Sequence, residues 1–368
     1  MIPKSYLLGL GRTFQGSSST VPAHQRAVSA MAEELPQIRA QEGPMQRFKN
    51  ILVVADSADK RNTAFERAAG LALRNRARLT VVCVVESLPE GDAGNPERRC
   101  ADLHGIRIQE MMVQEDLRGL ETLIAPLRDA GVEVQTRILR GTPFVEIIRE
   151  VMRNDHDLVM MRADGESGLT GALFGSTSIH LMRQCPCPVW VIKPAHGKFY
   201  ARILAAVDPH STDRELNALN LKIIELAASL ARAEQSELYV VHAWNASRMS
   251  SLGTRFSRGN MERMVAHVEQ EHVSRLDELL QKCFLDDVRH QVHLLEGEAG
   301  DLIPAMAKAK RADVIVMGTV CRTGVAGFFI GNTAERVLRQ VDCSVLTVKP
   351  DAFVTSVKLD QLESVHAA

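Results

Sequence analysis

Residues 157–194, DLVMMRADGESGLTGALFGSTSIHLMRQCPCPVWVIKP, and residues 313–350, DVIVMGTVCRTGVAGFFIGNTAERVLRQVDCSVLTVKP, align without a gap, and 12 of their 38 positions are identical. Chance would supply about two or three identities. The matches include Gly168 with Gly324, Gly171 with Gly327, Gly175 with Gly331, Thr177 with Thr333, Cys187 with Cys343, and Lys193-Pro194 with Lys349-Pro350, all at an offset of 156. Upstream, Ile51-Leu52-Val53-Val54-Ala55-Asp56 matches Ile203-Leu204-Ala205-Ala206-Val207-Asp208 at an offset of 152, so intervening loops absorb the difference. Such a period is far longer than a solenoid repeat, and each copy is therefore a whole domain. The boundaries read as 46–197 and 198–352, with a tail over 353–368. Residues 1–45 read as a disordered extension or a start codon assigned too early, because they offer little apolar surface and only a weak helical pattern.

Both copies alternate short apolar strands with helices. The first predicts strands at Ile51–Ala55, Leu79–Val85, Glu133–Ile138, Leu158–Met161 and Val189–Ile192, and helices at Asn62–Leu73, Cys100–Asp129, Pro143–Arg153 and Ser176–Gln184. The second predicts strands at Ile203–Val207, Glu237–Ala243, Gln291–Leu295, Val314–Met317 and Ser344–Val348. Its helices fall at Leu216–Ala231, Met261–Cys283, Asp301–Ala309 and Asn332–Arg339. Strands rich in Val, Ile and Leu are covered on both faces, and their alternation with helices implies right-handed crossovers. The fold class is α/β, with two tandem doubly wound parallel sheets of Rossmann-like type.

Composition narrows the function. Of the 368 residues 45% are hydrophobic, enough for packed cores, and the net charge of −1 leaves no broad basic footprint for nucleic acid. Aromatic residues are only 4%, too few for base-stacking platforms. The sequence contains no apolar run long enough to span a membrane. Seven scattered cysteines form no disulfide framework and suit a reducing compartment. Cys185-Pro186-Cys187-Pro188 reads as a tight turn into a core rather than a metal site, since no second Cys or His pair accompanies it. His267 with Glu271, and His290 with His293, read as solvated surface groups. Met111-Met112 and Met160-Met161 read as packing. Asp155-His156-Asp157 simply leads into a strand. No nucleophile elbow or P-loop is present, so no catalytic residue is assigned.

Ligands of doubly wound sheets bind beyond the carboxyl ends of strands, where the strand order reverses. Asp56 and Asp208 close the first strand of each copy. Glycine-rich stretches, Gly165–Gly175 and Gly318–Gly331, follow the fourth strands and run into helices at Ser176 and Asn332. Backbone N–H groups reached through glycine at a helix start suit a phosphate, and a neighbouring carboxylate suits a ribose or base. Turn geometry and N-capping explain the same residues without a ligand.

Val316-Met317-Gly318-Thr319-Val320-Cys321-Arg322-Thr323-Gly324 and Phe328-Phe329-Ile330-Gly331-Asn332-Thr333-Ala334-Glu335 make the chain resemble the universal stress protein family, in its tandem two-domain form and most closely its E type. The resemblance covers about residues 46–360. It implies a five-stranded parallel sheet per domain, an intramolecular pseudo-dimer, and a cytoplasmic stress-response role that includes resistance to DNA-damaging agents. Nucleotide-binding members carry Gly-x2-Gly-x9-Gly-Ser/Thr after the fourth strand. Copy one places Arg162 at the first of these positions and keeps Gly165, Gly175 and Ser176. Copy two keeps Gly318 and Gly331 but has Cys321 and Asn332 at the others. These departures place side-chain bulk beside the phosphates, so ATP, the one cofactor candidate, is expected to bind weakly or not at all.

Three functions follow in order of preference: a non-enzymatic scaffold or ligand sensor with a small-molecule or protein partner, a nucleotide module with slow ATPase or phosphotransfer activity, and an apolar-ligand binder. The last rests on the apolar cleft segments Leu173-Phe174 and Phe328-Phe329-Ile330, for which burial against the partner domain is the simpler explanation.

Overall fold

The computed structural model describes residues 48–55, 63–85, 96–163, 174–193, 199–209, 213–245, 258–320 and 330–359. The stretch 1–45, Asp56, Gly165, Leu173, Cys321, Phe328 and Phe329 lie outside the described residues. In the first half the strands are β1 (Asn50–Val54), β2 (Arg78–Val85), β3 (Val134–Arg140), β4 (Leu158–Arg162) and β5 (Val189–Ile192). Between them lie α1 (Thr63–Asn75), α2 (Pro96–Asp129), α3 (Pro143–Asn154) and α4 (Ser176–Gln184). The second half repeats the order with β6 (Arg202–Val207), α5 (Arg214–Glu234), β7 (Glu237–Trp244), α6 (Arg258–Leu280), β8 (His290–Glu296), α7 (Ala299–Lys310), β9 (Val314–Gly318), α8 (Asn332–Leu338) and β10 (Ser344–Val348).

Local chemistry sets the element ends. Asp213 accepts hydrogen bonds from the N–H groups of Glu215 and Leu216, which starts α5 two residues before the sequence pattern does. Pro143 occupies the first turn of α3, where its missing N–H costs nothing. Asp155 and Arg311, equivalent at the 156-residue offset, both close their helices in the left-handed conformation, with φ of 52° and 51°. Each is followed two residues later by a carboxylate that ties down the half's first strand. Asp157 accepts from the N–H groups of Lys49 and Asn50, and Asp313 from those of Ala201 and Arg202. Asp155-His156-Asp157 therefore does more than lead into a strand.

The ten strands form one sheet in the order β3-β2-β1-β4-β5-β10-β9-β6-β7-β8. Pairing is parallel within each half, and β5 meets β10 antiparallel through Val191 with Val345, Trp190 with Leu346, and Val189 with Thr347. One apolar layer joins α1, α2, α5 and α6 to the sheet, and a second joins α3, α4, α7 and α8 to its other face; both run across the β5–β10 seam. Phe174 and Ile330, the described parts of the apolar cleft segments, are buried in the second layer.

Two readings need correction. Met160 and Met161 are core, but Met111 is 69% exposed on α2, because its apolar stripe faces the sheet through Leu120, Ile124 and Leu127 instead. His293 is not a solvated group: it is half-buried between Tyr239, with ring centroids 6.0 Å apart, and the Lys310 side, and burial lowers its pKa. His267 is exposed and 3.7 Å from Glu271.

Candidate functional site

Strand order reverses between β1 and β4 and again between β6 and β9, which puts a cleft outside each pair of strand ends. Since β5 and β10 are antiparallel, the two clefts open on opposite edges of the joint sheet.

In the second half, Asp208 follows β6 and is half-buried. The buried Asn220 of α5 holds its backbone from both sides: the Asp208 N–H donates to Asn220 Oδ1 at 2.9 Å, and Asn220 Nδ2 donates to the Asp208 carbonyl at 2.8 Å. Gly318 ends β9, and a Cβ there would meet Leu219 Cδ2 at 3.0 Å. The close approach of α5 to the strand end thus leaves little room for a side chain at this position. Next comes Thr319, fully buried, whose hydroxyl donates to the Met182 carbonyl of α4 in the first half at 2.9 Å. Its own carbonyl accepts the Gly331 N–H at 3.1 Å, and Val320 bridges Ile330 antiparallel. The chain that leaves β9 therefore returns to α8 through a bonded neck. Asn332, the first residue of α8, is exposed.

In the first half, Arg162 stands at the end of β4 in register with Ile192 and is half-buried. The extended Gly175 precedes α4, and its carbonyl accepts both the Ile179 N–H at 3.1 Å and the Ser178 hydroxyl at 2.8 Å. No side chain caps the helix at Gly175, so the N–H groups of its first turn, beginning at the exposed Ser176, have no intrahelical acceptor. Asp208, Gly318 and Gly331 thus come together around one strand reversal, while Gly175 and Ser176 sit across the sheet at the other.

Two buried lysines cross the seam. Lys349 donates from Nζ to the Met182 carbonyl at 2.7 Å, and Lys193 donates to the Val341 carbonyl at 2.6 Å. The Met182 carbonyl lies in the last turn of α4, where unpaired carbonyls and the helix dipole favour a cation. Each ammonium also rests over a ring, Lys193 4.4 Å from Phe174 and Lys349 4.9 Å from Phe353. Burial drives the Lys349 pKa down to about 8, opposed by Cys185 and Cys187. Lys193 and Lys349 appear in the sequence only as matched ends of the repeat; neither their burial nor their reach into the other half is legible there. Asn220 and Thr319 carry no motif at all.

Beside the second cleft, His242 of β7 is buried. Its Nδ1 faces the Val207 carbonyl at 3.2 Å, and its Nε2 faces His272 Nδ1 at 2.9 Å. A carbonyl only accepts, so Nδ1 carries the proton and Nε2 accepts from His272. Among the described residues no three His, Cys, Asp or Glu side chains group to hold a metal.

Comparison with known proteins agrees with this architecture. The sequence model of the universal stress protein family matches residues 47–193 and again 199–349. The chain is 29% identical over 324 residues to universal stress protein E of Escherichia coli K12, covering 87% of this chain and 99% of that protein. A functionally unknown protein of Pseudomonas aeruginosa PAO1, PA1789, superposes with a TM-score of 0.57 at 28% identity, covering 83% of this chain and 94% of that one. A universal stress protein from Archaeoglobus fulgidus shares the fold at a TM-score of 0.50 and 17% identity, covering 82% and 98%. With two matching domains in tandem and a strand order that repeats about the β5–β10 seam, this chain belongs to the universal stress protein family, a family of stress-response proteins.

Proposed function

We propose that the protein is a non-enzymatic stress-response module of the cytoplasm, a scaffold or ligand sensor whose two halves hold each other as an intramolecular pair. Resistance to DNA-damaging agents belongs to the same reading. The observation that carries it is the use made of the second cleft. The Gly331 N–H is bonded to Thr319, the Thr319 hydroxyl to Met182, and Gly318 is packed on Leu219. These contacts close a neck at the strand end and join the halves. The pairing of β5 with β10 supports the intramolecular pair, because each would otherwise be an open edge strand.

A second reading, a nucleotide module with slow turnover, is favoured by the starts of α4 and α8, which no side chain caps, and most by the first half, where Ser176 follows Gly175. Calorimetric titration of the full chain with ATP separates the two. Binding weaker than micromolar is expected, with Arg162→Gly raising affinity more than Cys321→Gly. Micromolar binding that survives Asp56→Ala and disappears with Asp208→Ala would sink the proposal.

A further inference from the structure

The Cys185-Pro186-Cys187 turn joins α4 to β5 and takes no part in either cleft. Cys185 is buried, with its N–H bonded to the Leu181 carbonyl at 2.9 Å, while Cys187 is half-buried. The two sulfurs stand 3.6 Å apart, held there by a turn stiffened by Pro186. A disulfide requires them to close to about 2.05 Å.

The surroundings set the two thiols apart. Burial pushes the Cys185 thiol up, but the hydrogen bond from Cys187 and the Lys349 ammonium outweigh it and leave Cys185 below the ordinary thiol range. The same hydrogen bond, with burial, pushes Cys187 well up. Of the two sulfurs, Cys185 therefore gives up its proton the more readily, and Cys187 keeps its own. The missing third ligand, among the described residues, argues for sulfur chemistry between the pair rather than for a metal.

We propose that Cys185 and Cys187 are a reversible dithiol–disulfide site that responds to peroxide. Cys185 releases its proton, and its thiolate attacks one oxygen of the peroxide. The O–O bond breaks, giving a sulfenic acid on Cys185 and a hydroxide that takes up the released proton as water. The Cys187 sulfur then attacks the Cys185 sulfur, the S–O bond breaks, and the departing hydroxide takes the Cys187 proton as a second water. Two thiols are oxidised by two electrons and one peroxide is reduced to water, so the balance closes. A low-molecular-weight dithiol reverses the step by exchange. Because the turn feeds β5, the strand that meets the second half, the site reports on the seam and not on the clefts.

The test uses the full chain exposed to hydrogen peroxide, denatured in iodoacetamide and digested with trypsin. The peptide starting at Gln184 contains only these two of the seven cysteines. It is expected to escape alkylation and to be lighter by about two mass units than the dithiol form, with dithiothreitol restoring two alkylation sites. In Cys187→Ser the mass loss should vanish. A doubly alkylated peptide after peroxide, a sulfinic acid on either cysteine beside an alkylated partner, or a mass loss that persists in Cys187→Ser would each overturn the proposal.

Discussion

At the scale of single residues, His242 shows how a buried polar group is held neutral. Desolvation pushes its pKa down to about 4, with the Val207 carbonyl opposing and His272 and Arg275 adding to the shift. The unfolded chain, with a histidine pKa of about 6.5, therefore takes up a proton first as pH falls. His272, also lowered by burial, with Arg275 adding and Glu271 opposing, acts in the same direction. Stability is expected to be constant above about pH 6.5 and to fall towards pH 4, by at most about 1.4 kcal/mol per pH unit for each histidine. Urea midpoints at several pH values check this, and His242→Gln should flatten the slope; an unchanged slope would remove His242 as its source. Asn220 makes the second prediction. Its side chain answers both backbone groups of Asp208, so Asn220→Ala leaves a donor and an acceptor unpaired and should cost about 1–3 kcal/mol. A loss below about 0.5 kcal/mol in denaturant would show that water replaces the amide.

Between elements, the α1 and α5 helices are joined by a buried charge. Arg67 of α1 pairs with Glu234 at the end of α5, and its guanidinium lies 3.7 Å from the centre of the Tyr200 ring. Glu234 also accepts the Tyr200 N–H. Tyr200 leads into β6, so one carboxylate connects a helix of the first half, a helix of the second and the approach to the second sheet. Removing one partner strands a buried charge, which typically costs about 3–5 kcal/mol, whereas replacing both with apolar groups is often near neutral. Glu234→Leu alone is accordingly expected to destabilise far more than Arg67→Met with Glu234→Leu. A double-mutant cycle measures this, and additive losses would show that the pair is not coupled. Residues after β10 add a further tie: Ser356 donates to Gln184 at 3.0 Å, and the Lys358 carbonyl accepts from Arg149 at 3.1 Å.

For the whole molecule, the consequence is association. The halves 46–197 and 198–368, produced separately, are expected to bind one another, because separation opens the β5 and β10 edges and bares apolar surface that both core layers cover. Sedimentation of the mixed halves checks it. Two stable monomers that ignore each other would mean the pairing contributes nothing beyond the covalent connection.

What the sequence determined by itself is what local patterns encode. Ser176–Gln184, Val189–Ile192 and Ser344–Val348 are read to the residue, because an apolar run bounded by Gly, Pro or a capping side chain declares its own ends. The repeat declared two domains, and the alternation of strand and helix declared their class. Even the misplaced ends are local failures: α2 begins at Pro96 rather than Cys100, since its polar first turn carries no apolar stripe. The site was legible only as positions after strands. The bonds that decide what those positions do, Thr319 and Lys349 to Met182 and Lys193 to Val341, join residues 137, 167 and 148 apart in the chain. Such contacts leave no period and need no particular neighbour in sequence, so nothing short of the folded sheet could bring them to light. Gly318 is the clearest case: the sequence offers it as a phosphate turn, and only the packing of Leu219 against it makes it a contact between helix and strand.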